Sequence, residues 1–132
     1  MFKSKEVKEK IIELNTVGQL FEGENKEGNL MGTYSTFTSL FNQNKSFTLN
    51  GITKRKDLGN AIFLYDTGEF YRSFNVLFYN DGFVITADDE KDGTYLAERY
   101  PNIIGLSDES IGKLREFVRP LILQEIKKSM VF

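Results

Sequence analysis

The sequence predicts an α+β fold, a small, mostly antiparallel β-sheet packed by an N-terminal helix and a long C-terminal helix kinked near Pro120. Three observations carry that reading. Apolar residues recur at helical spacing near both ends of the chain, as Val7, Ile11 and Leu14 and again as Ile111, Leu114, Val118, Leu121, Ile122 and Ile126. Between them, two apolar runs are parted by Asn80, Asp81 and Gly82, residue types that tolerate the positive φ of a tight hairpin turn. With 132 residues and no internal repeat, the chain suits one domain over residues 1–132.

Taken in order, residues 4–17 form the first helix, with Ser4 as cap, Glu6 in the first turn and Ile12 widening the apolar stripe. Residues 18–29 hold three glycines among polar residues and read as a loop from which Leu20 and Phe21 dip into the core. Residues 30–41 are ambiguous: Tyr34, Phe37 and Phe41 fit a helix, while Thr33, Thr36 and Thr38 favour a strand. Residues 42–60 are polar, with Phe47, Leu49 and Ile52 alternating loosely. They read as a solvated loop whose basic cluster, Lys54, Arg55 and Lys56, is a candidate partner contact. Residues 61–65 read as a short strand. Residues 74–79 read as a strand apolar on both faces, with Phe74, Val76 and Phe78 on one and Leu77 and Tyr79 on the other, and so covered from both sides by helices or a second subunit. After a second apolar run at residues 83–87 comes an acidic turn, then a short helical turn ended by Pro101. Ser107 caps the last helix, Leu106 and Ile111 staple it, and Pro120 should kink or break it near Val118 and Arg119. The apolar Met130, Val131 and Phe132 are expected to dock on the core or on a neighbouring copy.

The composition narrows the chemistry. Twelve Phe and six Tyr allow few residues to fill a core. A net charge of −2 disfavours binding of nucleic acid by a broadly positive surface. With no Cys and no His, the chain has no thiol or His-based catalytic pair, no His general base and no ordinary zinc site. No signal peptide and no apolar run near the roughly 20 residues of a membrane helix is visible, so a soluble intracellular product is expected. Asp88, Glu90, Asp92 and Gly93 match the start of an EF-hand loop, but Arg99 stands where the closing Glu belongs. Asp66 with Asp89, Glu90 and Lys91 can be cast as a magnesium-dependent nuclease site. Stacking of single-stranded nucleic acid on Tyr71 and Arg72 beside the basic cluster is a further alternative. No glycine-rich phosphate loop is present, and no cofactor is expected.

The run Asp66, Thr67, Gly68, Glu69, Phe70, Tyr71, Arg72, Ser73 admits a physical reading as a turn: Gly68 supplies positive φ, Asp66 or Thr67 caps it, and Ser73 satisfies a backbone group where the strand begins. The same run resembles a motif of tailed-bacteriophage tail-completion or virion-morphogenesis (head–tail joining) proteins, which read Asp-Thr-Gly, any residue, a large apolar residue, two more residues, then Ser. The matches are Asp66, Thr67, Gly68, Phe70 and Ser73, followed by two strands and by Tyr95, Leu96, Ala97 and Glu98. Gly32, Thr33, Tyr34 and Ser35 upstream, and Arg99, Tyr100, Ile104, Gly105 and Leu106 with the last helix, extend the similarity over residues 32–126. The chain departs from the pattern in having Leu64 and Tyr65 where a Pro often precedes the motif, and in lacking a Gly after the last acidic residue. The resemblance implies a non-enzymatic virion component of the neck or tail, such as a tail-completion, tail-terminator or connector ring protein, assembled in the bacterial host cytoplasm. Its implied partners are further copies of itself and portal, neck or tail proteins, with DNA met only in a ring lumen. The five motif residues would then be structural. The alternatives are the nuclease-like enzyme using Asp66 and Asp89/Lys91, and a small phage accessory or inhibitor protein.

Overall fold

A computed structural model describes residues 4–80, 82–91 and 93–129. The apolar stripe of helix α1 (Ser4–Thr16) is buried as its spacing predicts, with Val7, Ile11 and Leu14 turned inward. The side chain of Ser4, the expected cap, lies outside the described residues. In the loop that follows, a one-turn 3₁₀ helix (Leu20–Glu22) drives Leu20 and Phe21 fully into the core. Gly23 closes it at φ 85, and a Cβ there would fall 2.7 Å from the Cβ of Ala61, so both the backbone conformation and the packing require glycine.

The ambiguous segment resolves as helix α2 (Thr36–Phe41), capped by the Ser35 Oγ, which accepts from the Thr38 N–H at 3.3 Å. Tyr34 precedes the helix and is buried, whereas Phe37 and Phe41 are exposed with their ring centroids 4.8 Å apart. Residues 42–60 are not simply a loop. Strands β1 (Phe47–Leu49) and β2 (Ile52–Lys54) form an antiparallel hairpin whose turn residues, Asn50 and Gly51, both have positive φ. Residues 61–65 form no strand. Ala61 makes a single bridge to Thr33, and Leu64 leaves the extended region at φ 50. The buried backbone of Phe63 is satisfied by phenols: its N–H donates to the Tyr34 hydroxyl at 3.2 Å, and its carbonyl accepts from the Tyr71 hydroxyl.

A further unexpected turn of helix, α3 (Glu69–Arg72), precedes the predicted hairpin of β3 (Asn75–Tyr79) and β4 (Gly82–Thr86). Tyr79 pairs with Gly82, so two residues close the turn; one of them, Asp81, lies outside the described residues. This register places Val76, Phe78, Phe83 and Ile85 on the face toward α1, and Leu77, Tyr79 and Val84 on the other. A miniature hairpin of β5 (Glu90–Lys91) and β6 (Thr94–Tyr95) leads into the short helix α4 (Leu96–Arg99) before Pro101. Helix α5 (Asp108–Ser129) is capped by the Ser107 Oγ, which accepts from the Ser110 N–H at 3.2 Å.

The α+β class holds, with two differences. The strands make three separate two-stranded antiparallel pairs rather than one sheet. Helix α5 also runs through Pro120 without the expected break. Pro120 is exposed, so the carbonyl deprived of its helical donor faces solvent, while Leu114, Val118 and Leu121 hold the opposite side against the core.

Two apolar clusters fill the interior. The larger is aromatic, with Phe21, Tyr34, Phe47, Phe63, Tyr71 and Phe74 meeting largely edge to face, as in the 5.2 Å contact of Phe21 with Phe63. The smaller joins α1, β3 and α5 through Val7, Ile11, Leu14, Val76 and Leu114, and Ile12 and Ile85 touch both. Two buried amides tie α1 to the segment before α5. Asn15 donates to the Ile103 carbonyl (3.0 Å) and accepts from the Gly105 N–H (2.8 Å). Gln19 donates to the Gly105 carbonyl (2.8 Å) and accepts from the Ser107 N–H (2.8 Å).

Candidate functional site

The corner at residues 66–73 spends its polar groups on the fold. Gly68 sits at φ 89, and a Cβ there would lie 2.9 Å from the Tyr65 hydroxyl. The Thr67 Oγ1 accepts from the Glu69 N–H at 3.4 Å, and Arg72 donates to the Thr67 carbonyl at 3.2 Å. The Ser73 hydroxyl donates to the Phe70 carbonyl (2.6 Å) and accepts from the Asp88 N–H (2.9 Å), which fastens the end of α3 to the strand leaving the hairpin. Phe70 packs on Phe74 at 5.1 Å. Asp66 pairs with Lys91 at 3.3 Å, both half exposed. Partial burial pushes the Asp66 carboxyl up. The hydrogen bond and charge of Lys91, joined by Lys56 and Lys45, outweigh that effect and hold its pKa below the usual value.

The nuclease-like arrangement brings Asp66 to Lys91, but the Asp89 carboxylate is occupied elsewhere, accepting from the Ala97 N–H at 2.8 Å in the first turn of α4. Asp88 likewise accepts from the Glu90 N–H. Asp92, a member of the calcium-loop pattern, lies outside the described residues. Among the described residues no group of three or more acidic side chains is gathered as a metal site.

The basic cluster is drawn into the fold rather than left as a solvated loop. Lys54 donates to the Phe21 carbonyl at 2.5 Å, pairs with Glu22 at 3.3 Å and lies over the Phe21 ring. Lys56 sits 4.5 Å from the Phe47 ring centroid and within 6.0 Å of Phe63 and Tyr34, and burial lowers its pKa. Arg55 alone is exposed, reaching Asp57 and the Gln43 carbonyl. The other candidate contacts, Met130, Val131 and Phe132, lie outside the described residues.

An open apolar surface lies elsewhere. Beneath β4 the hairpin and α5 diverge, leaving an open groove of about 540 Å³. Phe83 forms one wall and Ile111, Val118 and Ile122 the other, with Arg115 and Arg119 among them. A smaller hollow of about 350 Å³ continues along β4 past Ile104 and Leu106. The far face of the hairpin, with Leu77, Tyr79 and Val84, is also exposed. Doubly apolar strand composition hinted at that face, but the groove depends on how far α5 stands from β4, which no local pattern encodes. No helix among the described residues is long and apolar enough to cross a membrane.

No family model matches the chain, and neither does any curated protein or solved structure.

Proposed function

We propose that this chain is a non-enzymatic structural protein that works by assembly, of the kind its resemblance to phage head–tail joining and tail-completion proteins implies: a ring component at the neck or tail of a virion. One observation carries the reading, the open apolar groove between β4 and α5 together with the uncovered outer face of the hairpin. Apolar residues left exposed on both faces of one hairpin are typical of subunit contacts. Two further features support it. The motif residues Asp66, Thr67, Gly68, Phe70 and Ser73 serve the backbone and the core. The acidic residues nearby are committed to an ion pair or to backbone N–H groups. Peptide mass spectrometry of purified particles from the producing host tests the reading. The expected result is this chain in the particles at a constant ratio to the portal protein; its confinement to the soluble lysate would overturn it.

A further inference from the structure

The hairpin leaves one strand edge open. Tyr79 and Gly82 flank a two-residue turn and so exchange hydrogen bonds, as do Leu77 with Val84 and Asn75 with Thr86. By the same alternation Phe83 and Ile85 turn their backbone N–H and carbonyl groups away from β3. Among the described residues no hydrogen bond from another element reaches either of them. An open hollow of about 350 Å³ separates Phe83, Val84 and Ile85 from Ile104, Gly105 and Leu106, which leaves room beside the edge. The arginines of α5 line the larger groove and not this hollow. Edge strands of proteins that stay single are commonly guarded by a lysine, a proline or a bulge. On the β3 side such a guard is present: α1 packs on that strand, and its Lys8 stands 5.7 Å from the centre of the Phe78 ring. Strand β4 has no charged residue and no proline, and its register with β3 runs unbroken through five pairs.

We propose that β4 of one copy pairs antiparallel with β4 of a second copy, so that two hairpins join into one four-stranded sheet. The inference rests on the assembly reading and names one of its contacts. Unpaired N–H and carbonyl groups along an edge are matched by another strand and by little else. A copy of β4 answers that need: it is as uncharged as the edge it joins, and its two outward residues are symmetric about Val84. The register follows from which groups point outward. With the two-fold axis at Val84, Phe83 of each copy faces Ile85 of the other, and both pairs exchange hydrogen bonds. Val84 then meets Val84 of the second copy at the non-hydrogen-bonded position between them, where side chains approach most closely. The side-chain faces agree as well. Val84, Leu77 and Tyr79 share the outer face at 47%, 44% and 60% exposure, so pairing joins two apolar patches across the axis. One short edge makes a small contact, so the pair is expected to be weak, forming from about micromolar concentration upward. Such a contact is isologous and closes on itself, so a larger ring built with it is a ring of dimers joined through a second surface.

Sedimentation velocity of the full chain over a concentration series, with Val84→Lys and Val84→Glu, tests this. Val84 lies on the outer face and belongs to neither core cluster, and thermal unfolding of each variant confirms its fold. Because each Val84 faces its own counterpart, like charges oppose one another in either variant alone, and each is expected to weaken dimerisation at least about tenfold. Mixed in equal amounts the two are expected to dimerise again, since Lys then faces Glu. Amide exchange of the parent at low and high concentration gives a reading that needs no variant. The N–H groups of Phe83 and Ile85 are expected to gain the most protection, and those of Val84 and Thr86, already bonded to β3, to gain less. Variants that dimerise like the parent, or that stay monomeric when mixed, would overturn the β4 contact while leaving self-assembly intact. So would protection that rises elsewhere and not at Phe83 and Ile85. A parent chain still monomeric at about 1 mM would overturn the contact and the self-assembly reading together.

Discussion

Asn15 should be among the least replaceable polar residues of the chain. It is fully buried in the last turn of α1, and its amide makes two bonds to residues 88 and 90 positions away. In Asn15→Ala the Ile103 carbonyl and the Gly105 N–H lose their partner where water does not readily replace it. An unsatisfied buried group costs about 1–3 kcal/mol, less for a carbonyl than for an N–H, so a loss of about 3 kcal/mol is expected, cavity included. That is a large part of the roughly 5–15 kcal/mol that holds a domain folded. Asn15→Asp sharpens the test. The carboxylate keeps an acceptor for Gly105 but turns a negative oxygen on the Ile103 carbonyl, and burial raises its pKa in the fold above about 3.9, its unfolded value. A raised folded pKa means that the protonated acid, which can donate to Ile103, confers its full benefit below pH about 3.9 and loses it as pH rises through the folded pKa. Urea denaturation followed by far-ultraviolet circular dichroism at several pH values measures both effects. A loss below about 0.5 kcal/mol in Asn15→Ala, or an Asn15→Asp deficit relative to the parent that does not shrink in acid, would refute the reasoning.

Other expectations follow from the same geometry. Gly23→Ala combines a left-handed backbone with overlap on Ala61 and should cost about 3 kcal/mol, whereas Gly51→Ala, at φ 80 with open space around its Cβ, should cost about 1 kcal/mol; equal losses in urea titrations would dismiss the packing argument. Burial pushes the Tyr34 hydroxyl up to about 12 and raises that of Tyr71 as well. Their contribution to stability is therefore complete below pH about 10, where unfolded phenols ionise, and is lost as pH rises above it; an absorbance titration in which all phenols ionise together below that pH would contradict this. Lys56→Ala strips an aliphatic stem and a charge from the Phe47 ring and should cost about 1 kcal/mol, against less than about 0.5 kcal/mol for the exposed Arg55→Ala; reversal of that order in thermal melts would return the cluster to the solvent.

What could be read from the sequence was what is local and periodic. Val7, Ile11 and Leu14 and the Ile111–Ile126 stripe needed only a 3.6-residue repeat, and the hairpin needed only the break between two apolar runs, although Gly82, expected in the turn, is the first residue of β4 and pairs with Tyr79. Asn50 and Gly51 carry the same turn chemistry, but their strands are three residues long and escape any test of alternation. Residues 61–65 looked like a strand because Phe63 is apolar and flanked by apolar neighbours. The backbone groups of Phe63 are in fact met by the hydroxyls of Tyr34 and Tyr71, and the Ile62 N–H by the Gly32 carbonyl, none of them a strand partner. The same limit applies to Lys54 and Lys56. A charged run reads as solvated until the rings beneath it are placed, and those rings come from Phe21, Phe47 and Phe63. Of the candidate site, the turn at Gly68 and the bonding role of Ser73 were legible, while the groove was not, since Phe83 on one wall and Ile111, Val118 and Ile122 on the other are far apart in the chain.

The hairpin itself argues that the groove is meant to be filled. A two-stranded ribbon has little stability alone and depends on what covers it. Helix α1 covers β3, burying Val76 completely, but α5 stands away from β4, and Phe83, on the same inward face, remains 36% exposed. The core face is thus supported at Val76 and Ile85 and uncovered within one chain at the Phe78 and Phe83 end, beside the turn. Any group that fills the groove binds the folded state and not the unfolded one, so it adds stability by mass action as its concentration rises. Association would then be felt as a concentration-dependent melting temperature, with β4 the element whose amide protons gain most protection.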